Sequence, residues 1–166
     1  MKTGDIISVN KQRRRAALFP DEALGICTEL DSDWTVYCDG SVLVNPGGPG
    51  GWGVVVFQTA IGPASIQRLS GFDPETTNNR MEMTGAIEGL RATPAGSSVL
   101  LISDSRYVIY TLTEGWRIKF NHDLWDLFKT EIRLRRVRPE WVKGHDGNTY
   151  NEMADRLAGA AARGGK

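Results

Sequence analysis

The sequence predicts an α/β domain: a mixed β-sheet with helices on both faces, its elements in the order βββαβααβα. Three observations carry this reading. Residues 34–72 hold β-favouring segments joined by short, turn-rich stretches, the pattern of an antiparallel meander. From residue 78 the apolar spacing changes to that of a helix face. Val99-Leu100-Leu101-Ile102 is then a continuous apolar run, as in a strand covered on both sides.

Residues 1–33 stand apart. They carry Lys11-Gln12-Arg13-Arg14-Arg15, then Asp21, Glu22, Glu29, Asp31 and Asp33, without a sustained period. Such a segment reads as an N-terminal extension, flexible or loosely packed. Residues 34–162 make the domain proper, and 163–166 a C-terminal tail. Trp34–Asp39 is the first strand, stopping on a carboxylate before the glycine-rich loop Asn45–Gly51. Gly51–Gln58 is the second, and Ala64–Phe72, alternating around Ile66 and Leu69, the third. Asn78–Thr93 is a helix with Met83, Ala86, Ile87 and Leu90 inward, ended by Pro94 and Gly96. Ser98–Ser103 is the buried strand, and Ser105–Leu112 a short helix. Asn121–Arg135 is another helix, with Leu124, Leu127, Phe128 and Ile132 on one face. Val137–Lys143 is the last strand, and Asn148–Ala162 the last helix, with Met153, Leu157 and Ala161 inward.

Composition bounds the function. The 20 basic and 20 acidic residues cancel, so a hold on a polyanion must come from local patches or metal ions. A hydrophobic content of 40% is that of an ordinary soluble domain. No apolar run approaches the roughly 20 residues of a bilayer span, and the N-terminus lacks the apolar core of a secretory leader. The two cysteines, Cys27 and Cys38, are too few for a disulfide scaffold, and Cys38 reads as a buried thiol. The expected setting is a cytoplasmic monomer.

Four carboxylates stand at informative places. Asp39 ends the first strand, and Asp104 follows the fourth. If those strands are parallel neighbours, their carboxyl ends lie about 4.8 Å apart, where open α/β sheets form ligand sites. Glu82 sits near the start of the first helix and Asp155 about two turns into the last, both flanked by apolar residues. Clustered carboxylates repel one another, and their hard oxygens suit Mg2+ or Mn2+. His145, on the loop after Trp141-Val142-Lys143-Gly144, lies where an imidazole could shuttle protons. The plain alternative makes each carboxylate a solvated turn or helix charge and His145 a loop residue without a role.

The strings Asp39-Gly40-Ser41, Thr76-Thr77-Asn78-Asn79-Arg80-Met81-Glu82, Asp104-Ser105-Arg106-Tyr107-Val108, Trp141-Val142-Lys143-Gly144-His145 and Asn151-Glu152-Met153-Ala154-Asp155 occur in this order. Together they resemble ribonuclease H of type 1 over residues 34 to about 162. The resemblance implies the ribonuclease H-like fold, a mixed five-stranded sheet flanked by helices. It implies endonucleolytic hydrolysis of the RNA strand of an RNA/DNA hybrid, leaving 5′-phosphate and 3′-hydroxyl ends. Asp39, Glu82, Asp104 and Asp155 would hold two Mg2+ ions, with Mn2+ a possible substitute and Asp39 bridging both. His145 would assist proton transfer or product release. Asn78 and Asn79 would reach base edges in the minor groove. Glu82 and the backbone of Gly40 and Ser41 would meet RNA 2′-hydroxyls, and Asn45 and Thr77 a DNA phosphate.

Three features depart from the family pattern. Glu75 stands where relatives often carry a basic residue beside that phosphate. The basic handle of many bacterial relatives is missing, because Thr113–Phe120 runs directly into Asn121. Residues 1–33 lack the pattern of the hybrid-binding module of eukaryotic relatives. Lys11–Arg15 and the arginines Arg133, Arg135, Arg136 and Arg138 are candidates to replace the missing grip, and Trp116 could pack on the DNA strand. Trp125 and Trp141 are expected in the core. The rival readings are a non-catalytic hybrid-binding domain, or a nuclease of the same fold from a reverse transcriptase or integrase-like enzyme.

Overall fold

The computed structural model of the protein describes residues 25–27 and 31–164. The strands are β1 (Gly25–Ile26), β2 (Trp34–Val42), β3 (Gly50–Gln58), β4 (Gln67–Asp73), β5 (Ser98–Ser103) and β6 (Arg136–Trp141). The helices are α1 (Asn78–Arg91), α2 (Arg106–Thr113), α3 (His122–Arg133) and α4 (Thr149–Ala162), with a short 3-10 turn at Gly62–Ser65. The strands form one mixed sheet in the order β1-β6-β5-β2-β3-β4. β2, β3 and β4 are the antiparallel meander, while β5 and β6 join β2 in parallel.

Pleating divides the core into two layers. Val36 and Cys38 of β2 and Val54 and Val56 of β3 face one side, with Met83, Ile87 and Leu90 of α1 and Ile109 and Leu112 of α2. Val55 and Phe57 face the other, with Ala154, Tyr150 and Leu157 of α4. Burial on both sides explains why β3 is a continuous Val-Val-Val-Phe run rather than an alternating one. Each large apolar side chain so enclosed contributes about 1.5–3 kcal/mol. Tyr37, Phe57 and Tyr150 close the α4 layer, with ring centroids 5.0–6.5 Å apart.

Side-chain caps set where the helices begin. Thr77 accepts from the Arg80 N–H, Ser105 from that of Val108, and Asn148 from that of Asn151. α3 differs. Asn121, before its first residue, has φ 58 and makes no cap. Its side chain instead accepts from Arg80 at 3.2 Å and donates to the Tyr107 hydroxyl at 3.2 Å. α3 rests on α1 more than on the sheet, so its buried stripe is narrow: Trp125, Phe128 and Ile132. Leu127, expected inward, is 45% exposed, because the stripe is centred on Trp125 instead. Trp125 is buried as expected, whereas Trp141 is only half-buried.

The sheet has a sixth strand beyond the expected five. Gly25 and Ile26, from the segment set apart as an extension, pair in parallel with Arg136 and Val137. The Gly25 N–H donates to Arg135 O at 2.6 Å and the Cys27 N–H to Val137 O at 2.7 Å. The outer edge of β6 offers backbone groups that need partners, and two residues are too few to show a period. Further along, the Asp33 N–H donates to Ser98 Oγ at 2.9 Å, tying the approach to β2 onto the start of β5. The basic run Lys11–Arg15 lies outside the described residues.

Arg135 is not the phosphate contact considered above. It is 4% exposed. Its guanidinium donates to Thr93 Oγ1 at 2.9 Å, Thr93 O at 2.8 Å and the Glu131 carboxylate at 2.9 Å, joining the ends of α1 and α3 at the start of β6. Without the guanidinium, Glu131 keeps only Arg91, at 3.1 Å, and the Thr93 carbonyl and hydroxyl lose their buried donor, a loss of about 1–3 kcal/mol. Arg135→Ala is therefore expected to lower the urea midpoint by that equivalent. A variant as stable as wild type would show that the clamp carries no stability.

Candidate active site

β2 is a nine-residue strand that runs past Asp39 to Val42. Its parallel pairing with β5 nevertheless stops at Cys38 opposite Ser103, whereas the pairing with β3 continues through Asp39 opposite Gly53. Asp39 therefore sits where β2 loses one neighbour and keeps the other. Asp104 is the first residue beyond β5, so the two carboxylates lie at adjoining strand ends, as the sequence suggests.

Glu82 comes from the second turn of α1. Gly40 lets the helix come in this close. A Cβ there would lie 2.3 Å from the Glu82 backbone nitrogen and 2.5 Å from the Met81 carbonyl carbon. With no side chain at residue 40, α1 lies against β2 and lowers Glu82 beside Asp39. Asp39, Glu82 and Asp104 each offer an oxygen within 4.8 Å of the others. Asp39 and Glu82 are 4% and 6% exposed. Asp155 lies outside this trio, but its carboxyl hydrogen-bonds with that of Asp39. His145 is exposed, with φ 54, one residue beyond the glycine that packs against Asp104.

None of the ion pairs among the described residues reaches Asp39, Glu82 or Asp104. Burial, and then the charge of Asp104, push the Asp39 carboxyl up to about 8, although the Gly40 N–H donates to it at 2.8 Å. Burial, then the charges of Asp39 and Asp104, also raise Glu82 well above the usual carboxylate range. Glu82 Oε2 is buried without a hydrogen-bond partner among the described residues. A buried acceptor without a donor, in a group of carboxylates without a counter-cation, fits a hard divalent cation.

Several of the residues expected at the substrate surface lie on the glycine-rich loop and the start of α1, which are joined to each other. The glycine-rich loop is clipped to Thr76, two residues before α1: the Gly47 N–H donates to Thr76 O at 2.8 Å, and the Thr76 N–H to Gly48 O at 3.0 Å. Asn45 Oδ1 accepts from the Asn78 N–H at 3.2 Å, so loop and helix start share a second bond. Asn45 and Asn79 are exposed, while Gly40, Ser41, Thr77 and Asn78 are half-buried. Asn78 also reaches Glu82 with its side chain, one turn on.

Two contacts to Asp104 were not legible beforehand. Asn151 Nδ2 donates to its carboxylate at 3.3 Å, and the Trp141 indole donates to its backbone carbonyl at 2.9 Å. The signal for Asn151 was its place one turn before Asp155 on the same helix face. It heads the string Asn151-Glu152-Met153-Ala154-Asp155, in which only Asp155 is given a role above. Arg80, in the middle of the Asn-Asn-Arg-Met-Glu string, points away and pairs with Asp123 at 2.7 Å.

The sequence matches the RNase H family over residues 31–163. It is 45% identical to the ribonuclease H of Erythrobacter litoralis over 141 residues, 76% of this chain and 94% of the relative. It is 43% identical to that of Anaeromyxobacter sp. strain K over 145 residues, 77% of this chain and 79% of the relative. Among solved structures, LC9-RNase H1, a type 1 RNase H, superposes with a TM-score of 0.68 at 32% identity, over 84% of this chain and 76% of that one. A match that runs from the approach to β2 to the end of α4, at such identity, makes this chain a member of the RNase H family of hydrolases.

Proposed function

We propose that this protein is an endonuclease that hydrolyses the RNA strand of RNA/DNA hybrids, leaving 5′-phosphate and 3′-hydroxyl ends, as a cytoplasmic monomer. The observation that carries the reading is the set of carboxylates, without a counter-cation among the described residues, where α1 meets the adjoining ends of β2 and β5. Asp39, Glu82 and Asp104, with Asp155 beside Asp39, would hold two Mg2+ ions, Asp39 reaching both; Mn2+ could substitute. When bound, such ions supply a water of lowered pKa and a positive charge for the leaving 3′ oxygen.

The chain's own residues do the rest. Burial keeps the carboxylate oxygens turned to one another and excludes competing solvent. The Gly40–Ser41 backbone and Glu82 border the site, where they can read the 2′-hydroxyl that distinguishes RNA from DNA. Asn78 and Asn79, at the N-terminus of α1, would enter a minor groove. Asn45 and Thr77, on the loop and helix start that the Asn45–Asn78 bond joins, would meet a DNA phosphate. His145, on its exposed loop beside Asp104, can take or give a proton at the site's edge. Contacts to backbone and ribose carry little sequence information, so weak sequence preference follows.

Cleavage of labelled RNA/DNA hybrid, duplex DNA and duplex RNA tests the proposal. Hybrid alone is expected to be cut, and only with Mg2+ or Mn2+. Asp39→Asn should reduce kcat by more than the roughly 100-fold that loss of an outer metal partner costs. Equal cleavage by this variant, or no hybrid cleavage with either ion, would sink the reading.

A second expectation concerns pH. Asp39 has an ordinary pKa of 3.8 and a folded value of about 8. Between these values the folded, metal-free protein holds a proton that the unfolded chain has released, so stability falls as pH rises. Glu82 is shifted in the same direction. The Tm in a chelator should drop from about pH 5 to about pH 8, and added Mg2+ should raise it more at the higher pH. Asp39→Asn should flatten both trends. A chelated Tm that climbs across this window contradicts the account.

Glu75 is exposed near the phosphate-facing group. Glu75→Lys should lower KM for hybrid and steepen the salt dependence of binding by about one unit of log K per log salt. KM titrations at two salt concentrations would show it, and an unchanged slope would remove Glu75 from the phosphate pocket.

A further inference from the structure

Asp104 is held more closely than a metal ligand alone requires. Asn151, 1% exposed, donates from Nδ2 to Asp104 Oδ2 at 3.3 Å. Gly144 backs onto the same oxygen: a Cβ at residue 144 would lie 2.8 Å from Asp104 Oδ2. The Trp141 indole fixes the Asp104 backbone carbonyl at 2.9 Å. The Asn151 donor and the Gly144 backbone thus both meet the carboxylate at Oδ2.

Asn151 itself is poorly served by its place. Its Oδ1 is buried and accepts no hydrogen bond among the described residues. A buried amide with an unused acceptor is less favourable than an apolar side chain of the same shape. Packing alone would choose leucine here. The donor is the one property that leucine lacks, and it is spent on Asp104. Asn151 also lies one turn before Asp155, whose carboxyl bonds to Asp39. One face of α4 thus supports two of the carboxylates.

We infer that Asn151 and Gly144 commit Asp104 Oδ2 to the protein, so that Asp104 presents Oδ1 alone to a bound cation. Asn151 is in this sense a positioning residue: it acts through Asp104 and touches neither substrate nor metal. The inference rests on the metal-dependent reading above. Outer partners of this kind fix the orientation of a ligating carboxylate, and their loss typically weakens metal affinity or activity about 10–100-fold.

The test uses the full chain with Asn151→Leu, Asn151→Ala and Gly144→Ala. Mn2+ and Mg2+ binding to metal-free protein is measured by calorimetry, beside Tm and the kcat and KM for hybrid cleavage. Asn151→Leu should keep or raise Tm, weaken cation binding about 10–100-fold and lower kcat by a similar factor, with KM unchanged. Gly144→Ala should weaken cation binding as well, since its methyl group must displace Oδ2. Asn151→Ala, which cannot clash, should weaken it equally even if the leucine fails to fold. Folded Asn151 variants that bind cations within about twofold of wild type would overturn the inference, as would kcat and Tm falling together at unchanged cation affinity. A wild-type protein that binds no divalent cation would overturn the underlying metal reading instead, and this inference with it.

Discussion

The structure is built around three carboxylates held closer than their charges favour. Like charges within 4.8 Å repel strongly where water is excluded, and the rise of the Asp39 carboxyl to about 8 expresses that repulsion together with burial. The surroundings prevent relaxation. Asp39 and Asp104 cannot separate without unpairing β2 from β5, whose register is locked from Trp34 opposite Val99 to Cys38 opposite Ser103. Glu82 cannot back away while α1 rests on Gly40, and α1 is held by the larger of the two core layers through Met83, Ile87 and Leu90. Hydrophobic layers on both faces thus hold the acidic residues in an arrangement they would not adopt unaided.

Much of this was legible in the sequence because each part leaves a local mark. Both faces of the sheet are covered, so β3 and β5 are unbroken apolar runs. The caps Thr77, Ser105 and Asn148 mark three helix starts to within a residue. The carboxylates stand out because each interrupts an apolar context at the end or edge of an element. The features that stayed hidden depend on tertiary contact alone. β1 is two residues long and exists because β6 has an edge to fill. α3 turns Trp125 inward and Leu127 outward because it packs on α1, which a hydrophobic pattern by itself cannot indicate. Asn151 heads the string that ends in Asp155, but its partner is Asp104, distant in sequence and visible only in the fold.

A neutral chain that acts on a polyanion must place its few favourable contacts well. Several of its cations are already engaged inside the protein. Arg135 is buried in a clamp, Arg80 is paired with Asp123, and Arg91 bridges Glu88 and Glu131. What remains near the site is largely uncharged: backbone at Gly40 and Ser41, amides at Asn45, Asn78 and Asn79, and the hydroxyl of Thr77. Groups of this kind recognise shape and hydroxyl placement better than they supply bulk attraction. Divalent cations at the carboxylates would then provide much of the positive charge that the chain itself withholds.

Asn121 gives the connection between α2 and α3 a fixed far end. Its left-handed backbone and its bonds to Arg80 and Tyr107 settle where α3 begins, whatever precedes it. The near end is equally settled, since Tyr110 at the end of α2 packs on Trp116 with ring centroids 5.5 Å apart. The span between these two anchors can change length without disturbing either helix. Closing a flexible loop costs only about 0.6 kcal/mol more for each doubling of its length. The short Arg117–Phe120 crossing is therefore a modular port: a graft of a dozen residues or more, such as a basic helix-loop, could enter there while the carboxylate scaffold beneath it stays as it is.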